Sequence, residues 1–299
     1  MTILVTGASG AIGGRLVDRL VAEGREPRVA SRRPPSLHER WPGLTAVELD
    51  VLRPATLGPA LEGVRAAYYL VHSMEPAAAG DFRERDAEGA RAFGEAARAA
   101  GVERVIYLGG LGADDADLSE HLASRHETGR ILAESGPPLL EFRAAMVVSA
   151  DSASFTMLTD LVNRLPAMVV PRWVDTPSQP IAIDDVLAFL VAGLETPLGE
   201  HRTIVGIGGP DVTTYRRMIE TVAAERGRHP LIVGVPLLTP RLSSYWCALT
   251  TSVPAALARP LIEGMTTPMV VQDDEATRRF PAIHPMPFRE ALRRAFAAS

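Results

Sequence analysis

Short apolar runs alternate with longer amphipathic stretches along the first two thirds of the chain. The runs have the length and β-branched content of buried strands. They lie at 3–6, 27–31, 44–49, 64–71, 102–108, 139–148 and 201–207. Among the stretches between them, one repeats apolar residues at helical spacing from Leu16 to Val21, and 81–100 and 119–134 are also expected to be helices. This alternation predicts an α/β protein with a doubly wound parallel sheet.

The rhythm changes after residue 150, where four prolines interrupt an irregular stretch. Two later helices are expected around 215–225 and 243–262. We therefore expect a large sheet domain and a smaller, mostly helical C-terminal lobe that covers the ends of the strands. The domain is expected to comprise 1–150 plus about 183–207, and the lobe about 151–182 plus 208–299.

Three glycines follow the first strand at the spacing GxxGxxG, as Gly7, Gly10 and Gly13. The first permits a tight turn, the second lets a pyrophosphate approach the backbone, and the third lets helix and strand pack closely. The helix that follows presents free N–H groups and the positive end of its dipole to the phosphates. Because the turn lies between a strand and a helix, it predicts a Rossmann-type dinucleotide-binding domain.

The end of the second strand carries Ser31, Arg32 and Arg33 and no acidic residue. In this type of fold that position faces the adenosine ribose, where an acidic residue holds a 2′-hydroxyl and an arginine accommodates a 2′-phosphate. We therefore expect NADP(H) to be preferred over NAD(H), with a solvated basic pair in a loop as the alternative. Asp50, after the third strand, is either an acceptor for the adenine amino group or a loop-capping carboxylate.

Further cofactor contacts are expected where the order of the sheet reverses, at the carboxyl ends of the strands. The complete expected set comes from the glycine turn, the ends of strands two to five and the helix after strand five. It consists of Gly7, Ser9, Gly10, Ala11, Ile12, Gly13, Ser31, Arg32, Arg33, Asp50, Val51, Leu70, Val71, His72, Gly109 and Arg125.

Composition narrows the range of partners and chemistries. The chain of 299 residues has a net charge of −5, so a nucleic-acid partner is not expected. Its one cysteine, Cys247, excludes an internal disulfide, and the seven histidines show no metal-binding spacing, so no metal is expected. All 31 basic residues are arginine, which excludes mechanisms that need a lysine.

No apolar run approaches the roughly 20 residues needed to cross a bilayer, so no membrane span is expected. The first strand is expected to begin at residue 3, which leaves no room for a signal peptide, and a cytoplasmic protein is the default. The expected partner is a small-molecule substrate, and the sequence leaves the oligomeric state open.

Several segments resemble the atypical short-chain dehydrogenase/reductases (SDRs), especially the NmrA-like and NAD(P)H-binding epimerase-like branch. They are 6–13, 30–33, 104–110, the Ser135-Gly136 turn followed by Phe142-Arg143, and 179–186. The first pattern is specific to the superfamily and the others are moderately specific. The resemblance covers about residues 1–210 and implies an enzyme that moves hydride to or from a bound nicotinamide.

Typical SDRs carry a Tyr-x-x-x-Lys pair on the helix after strand five, in which the tyrosine donates a proton and the lysine lowers its pKa. Alignment on the Ser135-Gly136 turn places His121 and Arg125 at these two positions. Residues four apart project from one helix face. Because histidine titrates near neutrality, His121 could donate the proton while Arg125 holds the ribose or a substrate oxyanion. The alternative is a solvated helix start with no proton donor.

His72 is a second catalytic candidate, because strand four is expected to end at the cofactor crevice; a structural role is the alternative. An apolar pocket lining would suit a hydrophobic carbonyl, quinone or enone better than a sugar. For the aromatic and methionine side chains of this set, plain core packing is the alternative. The residues expected to line the substrate pocket are Met74, Met146, Phe155, Trp173, Gln179, Tyr245 and Trp246.

Three functions are compatible with these patterns. The leading hypothesis is an NADPH-dependent oxidoreductase that transfers hydride to a small, mostly apolar carbonyl, enone or quinone-type substrate. The missing Tyr-Lys pair supports a second hypothesis, a non-catalytic NADP(H)-binding sensor or structural subunit of the NmrA-like kind. The third is an epimerase or isomerase that uses bound nicotinamide transiently.

Overall fold

The computed structural model describes residues 1–72, 82–113, 118–199, 201–235, 250–254, 259 and 262–298. The described strands are β1 (Ile3–Val5), β2 (Arg28–Ser31), β3 (Ala46–Glu48), β4 (Ala66–Tyr69), β5 (Arg104–Gly110), β6 (Leu139–Ala144), β7 (Val147–Val148), β8 (Ala167–Pro171), β9 (Pro177–Ser178), β10 (Ile181–Ala182), β11 (Arg202–Ile207), β12 (Thr213–Thr214) and β13 (Leu231–Val235). The described α-helices are α1 (Ala11–Ala22), α2 (Pro34–Arg40), α3 (Leu57–Leu61), α4 (Phe82–Ala99), α5 (Glu120–Ser135), α6 (Ala153–Arg164), α7 (Ile183–Ala192), α8 (Tyr215–Glu225), α9 (Glu275–Arg279) and α10 (Phe288–Ala297).

Seven of these strands form one parallel sheet in the order β11-β6-β5-β4-β1-β2-β3. The order reverses between β1 and β4, where Val5 lies opposite Tyr68. Thr6 joins the two strand ends, because its hydroxyl donates to Tyr68 O at 2.8 Å and accepts from Leu70 N at 3.1 Å. A crevice outside the carboxyl ends of β1 and β4 is where a doubly wound sheet binds its ligand.

Apolar clusters cover both faces of this sheet. Successive side chains of a strand point to opposite faces, so Tyr68 packs with Leu190 on one face and Tyr69 with Phe93 on the other. Both tyrosines are at most 2% exposed, and the Tyr68 hydroxyl donates to Leu190 O at 2.9 Å. Burial on both faces explains why the strands read as near-continuous apolar runs. The prediction of a Rossmann-type doubly wound sheet is confirmed.

Another apolar cluster lies beyond the sheet, built from α6, α8, α10 and β8 around residues such as Phe155, Tyr215 and Leu292. In this part β8 pairs in parallel with β13, with Met168 opposite Ile232. This region is therefore less purely helical than expected, because the branched apolar residues of β8 and β13 favour strands. The division of the chain into two domains at the expected boundaries stays a prediction.

The run expected as one strand over 139–148 is two strands. β6 stays in the sheet, while β7 pairs with β10. The chain leaves the sheet at Ala145 and Met146, and both residues line a pocket at the strand ends. Most of the helix expected over 243–262 lies outside the described residues. In the part of the chain that is described, no helix has both the length and the apolar character needed to cross a membrane.

Candidate functional site

A cleft of about 420 Å³ lies at the carboxyl ends of β1 to β4. Its lining consists of Gly7, Ser9, Gly10, Ser31, Arg32, Leu49, Asp50, Val51, Leu52, Leu70, Val71, His72 and Arg85. All except Leu49, Leu52 and Arg85 were expected to contact the cofactor. The structure thus gathers the glycine turn and the tips of the strands around one cavity, which we call the cleft.

The glycine turn has little room for side chains on its protein side. Gly7 has φ of +65°, and a Cβ there would lie 2.5 Å from Leu70 O. A Cβ at Gly13 would lie 2.2 Å from Gly7 O, so α1 packs on the turn because Gly13 has no side chain. A Cβ at Gly10 would meet only Gly7 O, at 3.2 Å, and this glycine faces the cleft. Gly13 therefore allows the helix to pack closely on the turn, and Gly10 allows a ligand to approach the backbone.

Helix α1 begins beside the cleft with uncompensated N–H groups. Gly10 is its N-cap, and no side chain from the described residues caps it. The expected contacts Ala11, Ile12 and Gly13 are the first three residues of this helix. Their N–H groups have no partner within the helix, and they point towards an anion placed at its N-terminus. The turn and the helix start together fit a pyrophosphate.

The far end of the cleft is basic. Arg32 is exposed and lines it together with Arg85 of α4, whereas Arg33 is not part of the lining. Instead, the Arg33 N–H donates to Ser31 Oγ at 3.0 Å, next to the start of α2. Asp50 accepts from Leu52 N at 3.1 Å, as a loop-capping carboxylate does, and it also lines the cleft.

A second cavity, the inner pocket of about 240 Å³, lies where β5 and β6 end and α5 begins. It is lined by the expected residues Ile12, Gly109, His121, Arg125 and Met146, among others. Arg125 Nη2 donates to Leu108 O, but its Nε is buried and has no hydrogen-bond partner among the described residues. Buried donors are rarely left unpaired, so a ligand acceptor is expected beside this nitrogen.

His72 and His121, which are 49 residues apart in the chain, meet at the boundary between the cleft and the inner pocket. His72 Nε2 lies 3.2 Å from His121 Nδ1, and His72 Nδ1 lies 2.8 Å from a carboxylate oxygen of Asp86. The same oxygen accepts from Ser124 Oγ at 3.2 Å. Both catalytic histidine candidates therefore belong to one hydrogen-bonded chain that ends at a buried carboxylate.

The expectation that His121 titrates near neutrality is wrong. Burial lowers the pKa of His121 to about 3, and the positive charges of Arg125 and His72 lower this pKa further, although Asp86 opposes the shift. Desolvation disfavours the imidazolium form, so His121 is neutral at physiological pH. A lone, neutral imidazole is a poor proton donor, and the pattern around His121 did not indicate this burial.

A third cavity, the apolar pocket of about 540 Å³, lies among α6, β8 and α8. Met146, Ser154, Tyr215 and Met265 line both this pocket and the inner pocket, so the two cavities adjoin. Almost all of the remaining lining is aliphatic, methionine or aromatic: Met157, Leu158, Leu161, Leu165, Ala167, Met168, Val169, Val170, Pro171, Trp173, Val174, Ile219 and Ile262. The cleft, the inner pocket and the apolar pocket thus follow one another in space.

Comparison with known proteins identifies the family. Residues 7–158, about half of the chain, match the family described as NAD(P)H-binding. The chain belongs to this NAD(P)H-binding family. The match spans the glycine turn, β2 to β6 and α4 and α5, which together line the cleft and most of the inner pocket. The predicted resemblance to the atypical SDRs is confirmed.

Two characterised relatives are reductases. A ceramide reductase of Caulobacter vibrioides is 27% identical over 84% of this chain and 80% of the relative. A (4-alkanoyl-5-oxo-2,5-dihydrofuran-3-yl)methyl phosphate reductase of Streptomyces griseus is 29% identical over 76% of this chain and 74% of the relative. These relatives confirm the prediction that this member of the NAD(P)H-binding family is an oxidoreductase.

Solved structures share the complete fold at low identity. The NADPH complex of a quinone oxidoreductase from Escherichia coli has a TM-score of 0.77 and 19% identity, over 99% of this chain and 100% of that one. The NADP(H) complex of a triphenylmethane reductase from Citrobacter sp. has a TM-score of 0.75 and 16% identity, over 99% of this chain and 100% of that one. At these identities the likeness shows the fold alone.

The residues predicted for substrate binding separate into four groups. Met146 and Trp173 line the apolar pocket. Phe155 is 2% exposed and packs against Phe296, so the structure places it in the core, as its alternative interpretation proposed. Gln179 does not reach either pocket, because its amide donates to Gly209 O at 2.7 Å and accepts from Val271 N at 3.0 Å. Met74, Tyr245 and Trp246 lie outside the described residues.

Sequence reasoning missed Arg85, Asp86 and Tyr215. Arg85 and Asp86 lie in the first turns of α4, and only the rotation of this helix about its axis shows that they face the crevice. Tyr215 begins α8 and stands between the inner and apolar pockets; burial raises its pKa to about 12. No sequence signal distinguishes Asp86, because α4 also carries Glu84, Glu88 and Glu95.

Proposed function

We propose that this protein is an NADPH-dependent reductase of a carbonyl, enone or quinone-type group carried by a bulky, mostly apolar molecule. The observation that carries this proposal is the apolar pocket of about 540 Å³ that adjoins the inner pocket. Its volume lies within the range of about 300–1,000 Å³ that is usual for small-molecule sites. A pocket of this size has room for a bulkier apolar substrate than a short carbonyl compound.

The residues at the strand ends fit a nicotinamide dinucleotide. The glycine turn and the start of α1 would hold the pyrophosphate, and the inner pocket would take the nicotinamide end, with Arg125 Nε as a donor to the ribose or to a substrate oxygen. When bound, the reduced cofactor supplies a hydride. The chain itself orients the two partners, excludes water from the apolar pocket and supplies the proton that the reduced oxygen requires.

A preference for NADP(H) is supported by the charges at the far end of the cleft. Arg32 and Arg85 both line it, and Asp50 is the one acidic side chain among its described lining residues. Arginine favours a 2′-phosphate at the tip of the second strand, where an acidic residue would favour a free hydroxyl. We propose that Arg32, with Ser31 beside it, holds that phosphate.

The position of the apolar pocket supports a substrate-binding role for the C-terminal part of the chain. Apart from Met146, its described lining comes entirely from the segments 151–182 and 208–299. The ceramide reductase relative acts on a lipid according to its name, and the phosphate reductase relative acts on an alkanoyl compound. We propose by analogy that this pocket holds an alkyl chain or a fused apolar ring system.

The direct test is NADPH oxidation by the purified protein, followed at the absorbance of the reduced nicotinamide with a substrate panel. The panel contains long-chain ketones, alkylated quinones and bulky enones, together with short polar carbonyls as matched controls. We expect turnover with the apolar set, at a kcat/KM at least about tenfold above that for the short polar set, because apolar burial favours binding by about 0.8 kcal/mol per methylene. Preferential reduction of the short polar carbonyls would contradict the assignment.

A non-catalytic NADP(H) sensor is the second candidate, and the absence of the usual Tyr-Lys pair favours it. His121 and Arg125 hold the two positions of that pair on α5. Tight binding of both redox forms of the cofactor, with no turnover over the entire panel, would establish the sensor and refute the reductase.

A further inference from the structure

Three elements converge on the pair of histidines between the cleft and the inner pocket. Asp86 comes from α4, His72 from the segment after β4, and His121 from α5. The Asp86 side chain is 6% exposed and that of His72 is 17% exposed. Ser124, one turn along α5 from His121, fixes the carboxylate by donating to the oxygen that also faces His72.

The positions of the hydrogens follow from the chemistry of the three groups. A carboxylate only accepts hydrogen bonds, so His72 carries a hydrogen on Nδ1. One hydrogen lies between His72 Nε2 and His121 Nδ1. If His72 keeps it, His121 Nδ1 is the acceptor and His121 carries its own hydrogen on Nε2. If His121 supplies it, His72 is neutral and His121 Nε2 is bare.

The two arrangements differ by one proton, and His121 is neutral in both. With the extra proton, the positive charge is on His72, next to the carboxylate of Asp86, while His121 presents an N–H at Nε2. The low pKa of His121, about 3, is consistent with keeping the charge on its neighbour. A single pair therefore stores a proton and offers it from a neutral donor at the edge of the inner pocket.

We propose that Asp86 and His72 form a proton relay that acts through His121 on the substrate oxygen, in place of the missing Tyr-Lys pair. This inference depends on the proposed reductase function. His121 is the catalytic residue, because it lines the inner pocket; His72 and Asp86 are positioning residues that act through it.

The proton transfers balance without a further reactant. As the carbonyl carbon gains hydride, the electron pair of the C=O π bond moves to oxygen, which takes the hydrogen of His121 Nε2. At the same time His121 Nδ1 takes the hydrogen of His72 Nε2, so His121 changes tautomer and His72 loses its charge. Asp86 accepts the His72 Nδ1–H bond throughout. His72 lines the open cleft and recovers its proton from solvent.

Several other charged or titratable groups surround the pair. Arg125 lies on α5 and opposes a positive charge on His121, and Arg85 of α4 lines the same cleft as His72. The hydroxyls of Tyr69 on β4 and Tyr107 on β5 interact with Asp86, and burial raises the pKa of both. Asp86 is therefore the acidic partner that the described structure provides for holding the stored proton.

The first test is the pH profile of turnover in Asp86→Asn, with Glu88→Gln, an exposed change on the same helix, as the matched control. A general acid contributes about 10²- to 10⁴-fold, and Asp86 acts on it only through His72. We therefore expect kcat to fall by about 10- to 100-fold, while KM and the NADPH Kd change less than about twofold. The pH above which kcat/KM falls to half of its maximum should be about one unit lower in Asp86→Asn, because this variant lacks the carboxylate that stabilises the protonated pair. His72→Gln should lower kcat similarly, and His38→Gln, an exposed change, should not.

The second test does not depend on turnover. Spectra of the protein labelled with nitrogen-15 in its seven histidines report which ring nitrogen of each carries hydrogen. His72→Gln and His121→Phe assign the two signals. We expect His121 to be protonated on Nε2 at the acidic side of the activity profile and on Nδ1 at the alkaline side.

Each failure has its own meaning. An unchanging His121 tautomer across the pH range overturns the relay even if the enzyme reduces its substrates. An unaltered pH profile in Asp86→Asn also overturns the relay. So does normal turnover in His121→Phe together with loss of turnover in Tyr215→Phe, because the proton donor would then be Tyr215. If no substrate is reduced but the tautomer switches as expected, the proposed reductase function fails while the proton-storing pair stands.

Discussion

Replacement of Arg32 by serine tests the proposed basis of cofactor selection. Arg32 is exposed at the tip of β2 and lines the cleft. Opposite unit charges 4 Å apart attract by about 1 kcal/mol in bulk water and about 4 kcal/mol at an effective dielectric of 20, and the exposure of Arg32 favours the lower part of this range. A phosphate carries about 1.5 to 2 negative charges at neutral pH, which increases the attraction.

Ordering the long side chain opposes this gain by about 0.5–1.5 kcal/mol. We therefore expect a net contribution of about 1–2 kcal/mol, which corresponds to a Kd for NADPH raised about 5- to 30-fold in Arg32→Ser. NADH lacks the 2′-phosphate, so its Kd should change less than about twofold in the same variant.

The assay is a fluorescence titration of both reduced cofactors at constant ionic strength, since salt screens exposed charges. Arg33→Ser is the matched control, because Arg33 neighbours Arg32 in the chain but is not part of the cleft lining. Equal weakening of NADPH and NADH in Arg32→Ser, or a larger selective loss in Arg33→Ser, would refute the assignment of the phosphate site.

Three further predictions concern the glycine turn, the pockets and pH. Gly13→Ala should lower the free energy of unfolding by about 1–3 kcal/mol and weaken binding of both cofactors, because its Cβ would lie 2.2 Å from Gly7 O. Denaturation and cofactor titration measure the two effects, with Gly43→Ala as the control, because a Cβ at Gly43 meets nothing within 4 Å. Equal effects of the two substitutions would argue against the tight turn. Ser154→Phe should raise KM for bulky substrates at least about tenfold and leave the NADPH Kd unchanged, because Ser154 lines both the inner and apolar pockets. An unchanged KM would show that substrates bind elsewhere. The folded-state pKa of His121, about 3, lies below its unfolded value, so its contribution to stability is present above about pH 6.5 and is lost as the pH falls towards 3. Between pH 7 and 5 the wild type should therefore lose about 1–2 kcal/mol more than His121→Phe in urea unfolding, and parallel losses would show that His121 is not buried.

Features that depend on neighbours in the chain could be predicted from the sequence. Gly7, Gly10 and Gly13 contact one another or the adjacent strand, so their spacing alone indicated the turn and the dinucleotide cleft. The alternation of strands and helices gave the parallel sheet, because each strand buried on both faces must be apolar throughout.

Features that depend on how distant elements pack could not be predicted. The contact between His72 and His121 joins residues on different elements, and the low pKa of His121 follows from burial that a helix-start sequence does not reveal. Asp86 was overlooked because the phase of α4 relative to the crevice is set by tertiary packing. Gln179 is polar in a short irregular segment, and only the structure shows that its amide joins two backbone segments.

In the proposed reaction, a hydride passes from the nicotinamide in the inner pocket to a molecule held in the apolar pocket. The most direct measurement uses NADPH that carries deuterium on the nicotinamide C4, with a long-chain ketone as acceptor and mass spectrometry of the product. We expect an alcohol with one deuterium from only one of the two C4-labelled forms of the cofactor. A product without deuterium from either form, or unaltered ketone in the presence of tightly bound cofactor, would contradict it.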